Sequence, residues 1–423
     1  MANKHKNVLV ITSSGGGGCI QLAIAKKQQI LNKEPLSNVT IIDVMKKWTW
    51  FGMGRFFVFL YNTTQTFGKA RIQEKLVGCQ TTAELILWIF IFFYSLRTFF
   101  KNDIDRVIDT QALCSSAIIK ALRIYNRKKN RSIILEKVLV DLPTYKSTHF
   151  FRNIKRLSSK DRPFIRLYTI DPLLDTPNEE MFWQKHCKLD LSQIKKEDFY
   201  VRDAFYKYFN KKRPVDETKL FIRAEKEKRS LIKNIISRSN VDYAETNEGF
   251  SFTIAPHDLV IVILLGSQAA QKATFNYVKN FLFCMKKKSQ FNRHYHLFVF
   301  CPNKKRDVLQ DVHDMVVQEE QYPSHFTIIP MLFQKEDVIA SLFFRSDISI
   351  TRTGGQTAME LMGVSKGKIW IHSEIKDKPF MDTKKLLKGI PAWEAGNAEY
   401  LIDKYSARIV TPSMIFSLSE EYI

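Results

Sequence analysis

The chain has 423 residues, 45% of them hydrophobic and 26% charged, which excludes a disordered polymer and leaves room for two domains. Its 65 Lys+Arg against 43 Asp+Glu give a formal charge of +22, a balance suited to a polyanion or an anionic membrane face. There is no zinc-finger spacing and no RNA-recognition signature, and aromatic residues cluster beside apolar runs, so a bilayer interface fits this charge better than nucleic acid.

Residues 7–12 (NVLVIT) have the pattern of a buried strand. The loop Ser13-Ser14-Gly15-Gly16-Gly17-Gly18-Cys19 follows, then an apolar helix from Ile20 to about Leu31. Strand, glycine loop and helix form a phosphate-cradling order, although the spacing is neither GxGxxG nor a Walker loop. Residues 39–44 (VTIIDV) give a second strand, and alternation with helices implies a parallel sheet. Between 45 and 100 the texture is aromatic and basic, from Lys46-Lys47-Trp48 through 55–61 to the run LILWIFIFFYSL at 85–96. Twelve apolar residues fall short of the roughly 20 needed to span a bilayer, so an interfacial or buried helix is expected there.

Further strands are expected at 106–109, 133–141 and 164–169. Asp103-Ile104-Asp105 matches the DxD pattern of metal-dependent sugar transferases, but it precedes its strand and so sits at the wrong end for a ligand. Loops at the carboxyl ends of parallel strands face the ligand crevice, which singles out Asp141, Lys146 and His149. The span 152–248 is polar and basic, with 220–239 read as a charged helix. Residues 258–265 (DLVIVILL) restart the strand pattern and end in Gly266-Ser267-Gln268, with later strands at 295–301, 326–330, 346–351 and 365–372. The fold class is thus α/β: two Rossmann-like doubly wound domains facing across a cleft. The first is expected over 1–245 and the second over 246–412, with 413–423 a tail that could cross back.

The stretch 347–361 (DISITRTGGQTAMEL) concentrates the chemistry. A strand runs into Gly354-Gly355 and a helix, so free N–H groups face any anion placed there, with Glu360 a turn further in, within reach of ribose hydroxyls. Six cysteines at 19, 79, 114, 187, 284 and 301 show no paired or metal-site spacing, so a reduced compartment and no metal are expected. The first residues carry no secretory signal, and a cytoplasmic, membrane-peripheral protein is the expectation.

Taken with LLGSQAAQK at 264–272, the box Arg352 to Glu360 and WEAGNAEYL at 393–401, the chain resembles the GT-B glycosyltransferases. Within them it is most similar to the branch of the lipid II N-acetylglucosaminyltransferase and the monogalactosyldiacylglycerol synthases. The resemblance covers roughly 250–410 and, more loosely, 7–145. It implies a nucleotide-sugar donor, most often a UDP-sugar, and no cofactor. Gly266, Ser267 and Gln268 would lie near diphosphate or acceptor. Thr353, Gly354 and Gly355 would serve the phosphates, Glu360 the ribose, and Glu394 and Asn397 the donor sugar, with Arg352 and Thr357 also in the donor site. Gly16, Gly17, Gly18 and Cys19 would form the loop near the acceptor.

Two departures from that pattern concern the base. The family commonly has His where this chain has Cys19, and the galactolipid branch has His where this chain has Lys146. Asp141 or His149 is the expected base. The expected activity is a metal-independent, inverting transfer of a sugar to a lipid, lipid-linked or protein acceptor at an anionic membrane surface. The competing expectations are a non-catalytic scaffold of the same fold and a nucleic-acid-binding α/β protein.

Overall fold

The computed structural model describes residues 6–15, 17–49, 52–175, 178–198, 200–266, 270–288, 290–301 and 307–422. The first half runs β1 (Asn7–Thr12), α1 (Gly18–Lys33), β2 (Asn38–Asp43), then the helices α2 (Val44–Lys47), α3 (Met53–Thr66), α4 (Ala70–Gly78) and α5 (Gln80–Asn102). It continues through β3 (Arg106–Asp109), α6 (Ser115–Lys129), β4 (Leu135–Val138), α7 (His149–Lys155), β5 (Ile165–Thr169), α8 (Glu179–Cys187) and β6 (Ile194–Lys196). The six strands form one parallel sheet in the order β2-β1-β3-β4-β5-β6. Val8, Leu9, Val10 and Ile11 are wholly buried because helices cover both sheet faces, which is why β1 reads as an unbroken apolar run.

A connector carries α9 (Asp203–Tyr206), β7 (Thr218–Arg223), α10 (Arg229–Ile236), β8 (Tyr243–Glu245) and β9 (Gly249–Ile254). The second half follows with β10 (Leu259–Leu264), α11 (Gln271–Lys287), β11 (Tyr295–Phe300), α12 (Val308–Val317), β12 (Phe326–Met331), α13 (Glu336–Arg345) and β13 (Ile348–Thr351). It closes with α14 (Gly355–Val364), β14 (Lys368–His372), α15 (Thr383–Leu387), α16 (Ala392–Tyr405), β15 (Arg408–Val410) and α17 (Ile415–Tyr422). Its six-stranded parallel sheet has the order β12-β11-β10-β13-β14-β15, the doubly wound 3-2-1-4-5-6 arrangement. The expected architecture of two Rossmann-like domains is the one the chain adopts. Each sheet reverses its winding beside its first strand, β1 or β10, and the crevice outside those strand ends is where ligands bind in such sheets.

Three expectations change. The span 220–239 is not one helix: Leu220 and Ile222 alternate inward from β7, which pairs antiparallel with β9, and only α10 is helical. The connector's apolar residues, Val201 through Ile254, join the core of the second half, so that core starts well before residue 246. The tail stays with the second half: α17 packs on α11, with the Phe283 and Phe416 rings 5.5 Å apart.

Helix α5 is also longer than its apolar run, with 23 residues, and by length and composition it is able to cross a membrane. One stripe, Leu87, Ile91, Ser95 and Phe99, is buried at helical spacing against α6. The opposite face leaves Leu85, Ile86, Ile89 and Phe93 more than half exposed, and α3 beside it exposes Phe56 and Phe59 at 61% each.

Candidate active site

Backbone turns at the strand ends bring the site together. Gly17 precedes α1 in the left-handed region, at φ 85°, where a side chain would be strained. The Thr110 hydroxyl, from the loop after β3, donates to the Cys19 carbonyl at 3.1 Å and ties the glycine loop to the sheet. Burial, reinforced by the nearby Asp141 carboxylate, pushes the Cys19 thiol up to about 12, so it supplies no base at neutral pH. Gly16 lies outside the described residues.

The loop after β4 carries both residues expected to supply the base, and the structure brings the two together. His149 Nε2 lies 3.3 Å from Asp141 Oδ2. Burial, with Arg152 and Lys137 adding repulsion, lowers His149 to about 3, so the imidazole is neutral. Burial raises Asp141 to about 7; the Asn397 amide opposes this, Glu394 adds to it and the Gly355 N–H opposes it. The His149 Nδ1 atom is buried without a partner.

From the second half, Gly354 and Gly355 open α14 as expected of an anion seat. The Gly355 N–H, however, is close enough to Asp141 to lower its carboxyl, and a Cβ on Gly355 would lie 2.9 Å from the Asp141 Cα. Asn397, which is 0% exposed, donates from Nδ2 to Asp141 Oδ1 at 2.9 Å and to the Thr353 carbonyl at 2.7 Å, and accepts from Leu142 N at 2.7 Å. Its amide is therefore turned toward the first half and the backbone. Arg352 bonds Glu394 at 3.3 Å, and the Thr353 hydroxyl donates to the Glu394 carbonyl at 2.8 Å. Thr357 sits half-buried in the first turns of α14, and Gly266 lies two residues beyond β10 with φ 83°. Ser267 and Gln268 lie outside the described residues.

Glu360 departs from its expected place. It is 2% exposed and does not line the crevice; Arg202 forks onto it with bonds of 2.7 and 2.9 Å, and Gln356 adds a third at 3.2 Å. The reason is topological: the connector crosses over α14 and lays Arg202 on the helix face that carries Glu360. In this arrangement the carboxylate is not presented to a ribose.

A cavity of about 390 Å³ opens between the halves. Its polar end holds Ser13, Cys19, Asp141, His149, Gly355 and Glu394. Its walls are apolar, from Met45, Phe57, Val58, Leu76, Val77 and Ile86 of the helical layer α2–α5. Tyr61 of α3 lines the cavity too, and burial together with Glu394 raises its hydroxyl pKa. The sequence reading missed Tyr61 because it falls within an aromatic stretch whose two faces look alike until the helix is packed.

Lys137 was also missed. It is fully buried, bonding Asp109 at 2.7 Å, Ser115 at 3.1 Å and the Gln111 carbonyl, and it holds the cavity-lining loop 110–114 in place. The DxD look-alike is structural: Asp103 pairs with Lys129 and Arg131, and Asp105 accepts from Asn7 N at 2.8 Å.

No family model and no curated protein matches the chain. Among solved structures it is similar to MurG of Acinetobacter baumannii, at 12% identity over 98% of this chain and 90% of that one, with a TM-score of 0.48. It is also similar to the UDP-GlcNAc 2-epimerase of Methanocaldococcus jannaschii, at 10% identity over 99% and 92%, with a TM-score of 0.44. A glycosyltransferase of Rickettsia africae is similar at 13% identity over 99% and 97%, with a TM-score of 0.38.

Proposed function

We propose that the protein is a glycosyltransferase that moves a sugar from a nucleotide sugar, a UDP-sugar by the sequence resemblance, to a lipid-type acceptor at an anionic membrane surface. One observation carries this reading: the cavity joins a titratable pair, Asp141 and His149, and a glycine-opened helix N-terminus to walls fit for an alkyl chain. The acceptor hydroxyl would enter from the apolar side and meet Asp141 at the polar end. A carboxyl near 7 is poised to take a proton at neutral pH, and His149 Nε2 lies 3.3 Å from it.

In a single displacement the acceptor oxygen bonds the anomeric carbon as the bond from that carbon to the phosphate oxygen breaks. The proton passes to Asp141 and the nucleoside diphosphate leaves. The N–H groups of Gly354 and Gly355, with Arg352 behind them, would stabilise the leaving charge without a metal. The exposed aromatic faces of α3 and α5, flanked by exposed Lys46, Lys47, Arg55, Arg71, Arg97 and Lys101, suit a helical layer lying in anionic headgroups.

A second reading, a scaffold of this fold without catalysis, is favoured by Arg202 holding Glu360 and Asp141 lying beside the Gly355 N–H. Purified protein incubated with a panel of UDP-sugars and anionic vesicles containing diacylglycerol separates the two. Glycolipid formed by the wild type and lost in Asp141→Ala supports transfer. A complete lack of product and of donor hydrolysis across the panel supports the scaffold.

A further inference from the structure

The groups expected to hold a nucleotide diphosphate are already engaged by the chain itself. At the helix N-terminus that would take the phosphates sits Asp141, only 8% exposed, its Cα 2.9 Å from where a Cβ on Gly355 would lie and its carboxyl held by Asn397. The carboxylate that would take the ribose holds the Arg202 guanidinium. A carboxyl stands for the phosphates and a guanidinium for the ribose.

The first half also packs closely on the flanks of this turn, while the Gly354 side stays open to the cavity. A Cβ placed on Gly355 would collide with the Val140 carbonyl, and one on Gly396 with the Ser147 and Thr144 hydroxyls. The Ser147 hydroxyl donates to the Trp393 carbonyl at 3.1 Å, and Lys146 pairs with Glu399. Residues 140–147 thus cover the N-termini of both α14 and α16, fastened by Asn397.

We propose that this is a self-occupied state: segment 140–147 sits in the diphosphate seat, and a diphosphate binds only by displacing Asp141 from the N-terminus of α14 and releasing the Asn397 latch. The proposal rests on the donor site of the preceding reading. Every contact that closes the latch lowers apparent donor affinity, because only the open fraction binds. Asp141 then has two states, an internal occupant of the seat when the seat lacks a donor and a proton acceptor when the donor has pushed it toward the cavity. Asn397 is a latch residue and not a sugar ligand, which inverts the sign of its mutational effect.

Calorimetric titration of the full chain with inorganic pyrophosphate and, separately, uridine diphosphate tests this, with hydrogen exchange followed over 139–149. The expected result is that Asp141→Ala and Asn397→Ala bind pyrophosphate about tenfold or more tightly than the wild type. Ser147→Ala, which removes one latch bond without leaving a buried charge, should move affinity the same way by a smaller factor. Exchange in 139–149 of the wild type should rise when pyrophosphate is added. Wild-type binding left unchanged or weakened by all three substitutions, with no change in exchange, overturns the latch and leaves the donor reading standing. No binding of either probe by any variant removes the donor reading and the latch together.

Discussion

Arg202, from the connector, lays both arms of its guanidinium on Glu360, 158 positions away, at 2.7 and 2.9 Å. The pair is nearly dry, with side-chain exposures of 12% and 3%, and burial raises the Glu360 carboxyl against the pull of Arg202. Removing one partner of such a pair strands a buried charge, which costs about 3–5 kcal/mol, whereas replacing both with apolar residues of similar size is often neutral. Arg202→Ala should therefore shift the urea midpoint strongly at constant m value. Arg202→Met combined with Glu360→Leu should recover most of it. A wild-type midpoint for Arg202→Ala would mean that the fork contributes little.

Two adjacent glycines should respond in opposite ways. Gly354 has no heavy atom within 4 Å of the place a Cβ would take, so Gly354→Ala should leave stability within about 0.5 kcal/mol of the wild type. Gly355 faces the Val140 backbone, which cannot rotate away, so Gly355→Ala should cost about 1–3 kcal/mol or force segment 140–147 off the second half. Thermal melts with limited proteolysis of that segment check both. Equal melts for the two variants would contradict the close approach.

The Asp141 carboxyl sets a pH window. Its folded value, about 7, lies above the ordinary 3.8, so its contribution to stability is complete below about pH 4 and is lost as pH rises through 7. Asp141→Asn lacks this loss. The stability difference, variant minus wild type, should increase by up to about 3 kcal/mol from pH 5 to pH 8. His149, lowered to about 3, acts in the reverse sense as pH falls below 6.5, but it is present in both proteins and largely cancels. A pH-independent difference would place the Asp141 carboxyl near its ordinary value.

Phe56, Phe59 and Phe93 are each at least 60% exposed and do not line the cavity, so changing them should leave the fold intact. Replacing all three by Asp removes about 2 kcal/mol of apolar anchoring per site and adds repulsion from anionic headgroups. Co-sedimentation with phosphatidylserine-containing vesicles should fall more than a hundredfold in partition. Wild-type binding should weaken with salt through the flanking Lys and Arg. Unchanged sedimentation of the triple variant would move the membrane contact elsewhere.

The sequence by itself determined the alternation of strands and helices in both halves. β1 and β10 are continuous runs whose burial on both faces leaves a local signature, Gly17 is held at φ 85°, and Gly355 meets the Val140 backbone. It also placed Asp141 and His149 in one loop, close enough for the pairing seen. It was silent wherever the partner is distant in the chain. Asn397 meets Asp141 across 256 positions, Arg202 intercepts Glu360, and Tyr61 reaches the cavity from a helix whose other face is bare. Those contacts follow from how the two halves and the helical layer pack. A side chain's chemistry there depends on what lies opposite it, and only the tertiary structure supplies that.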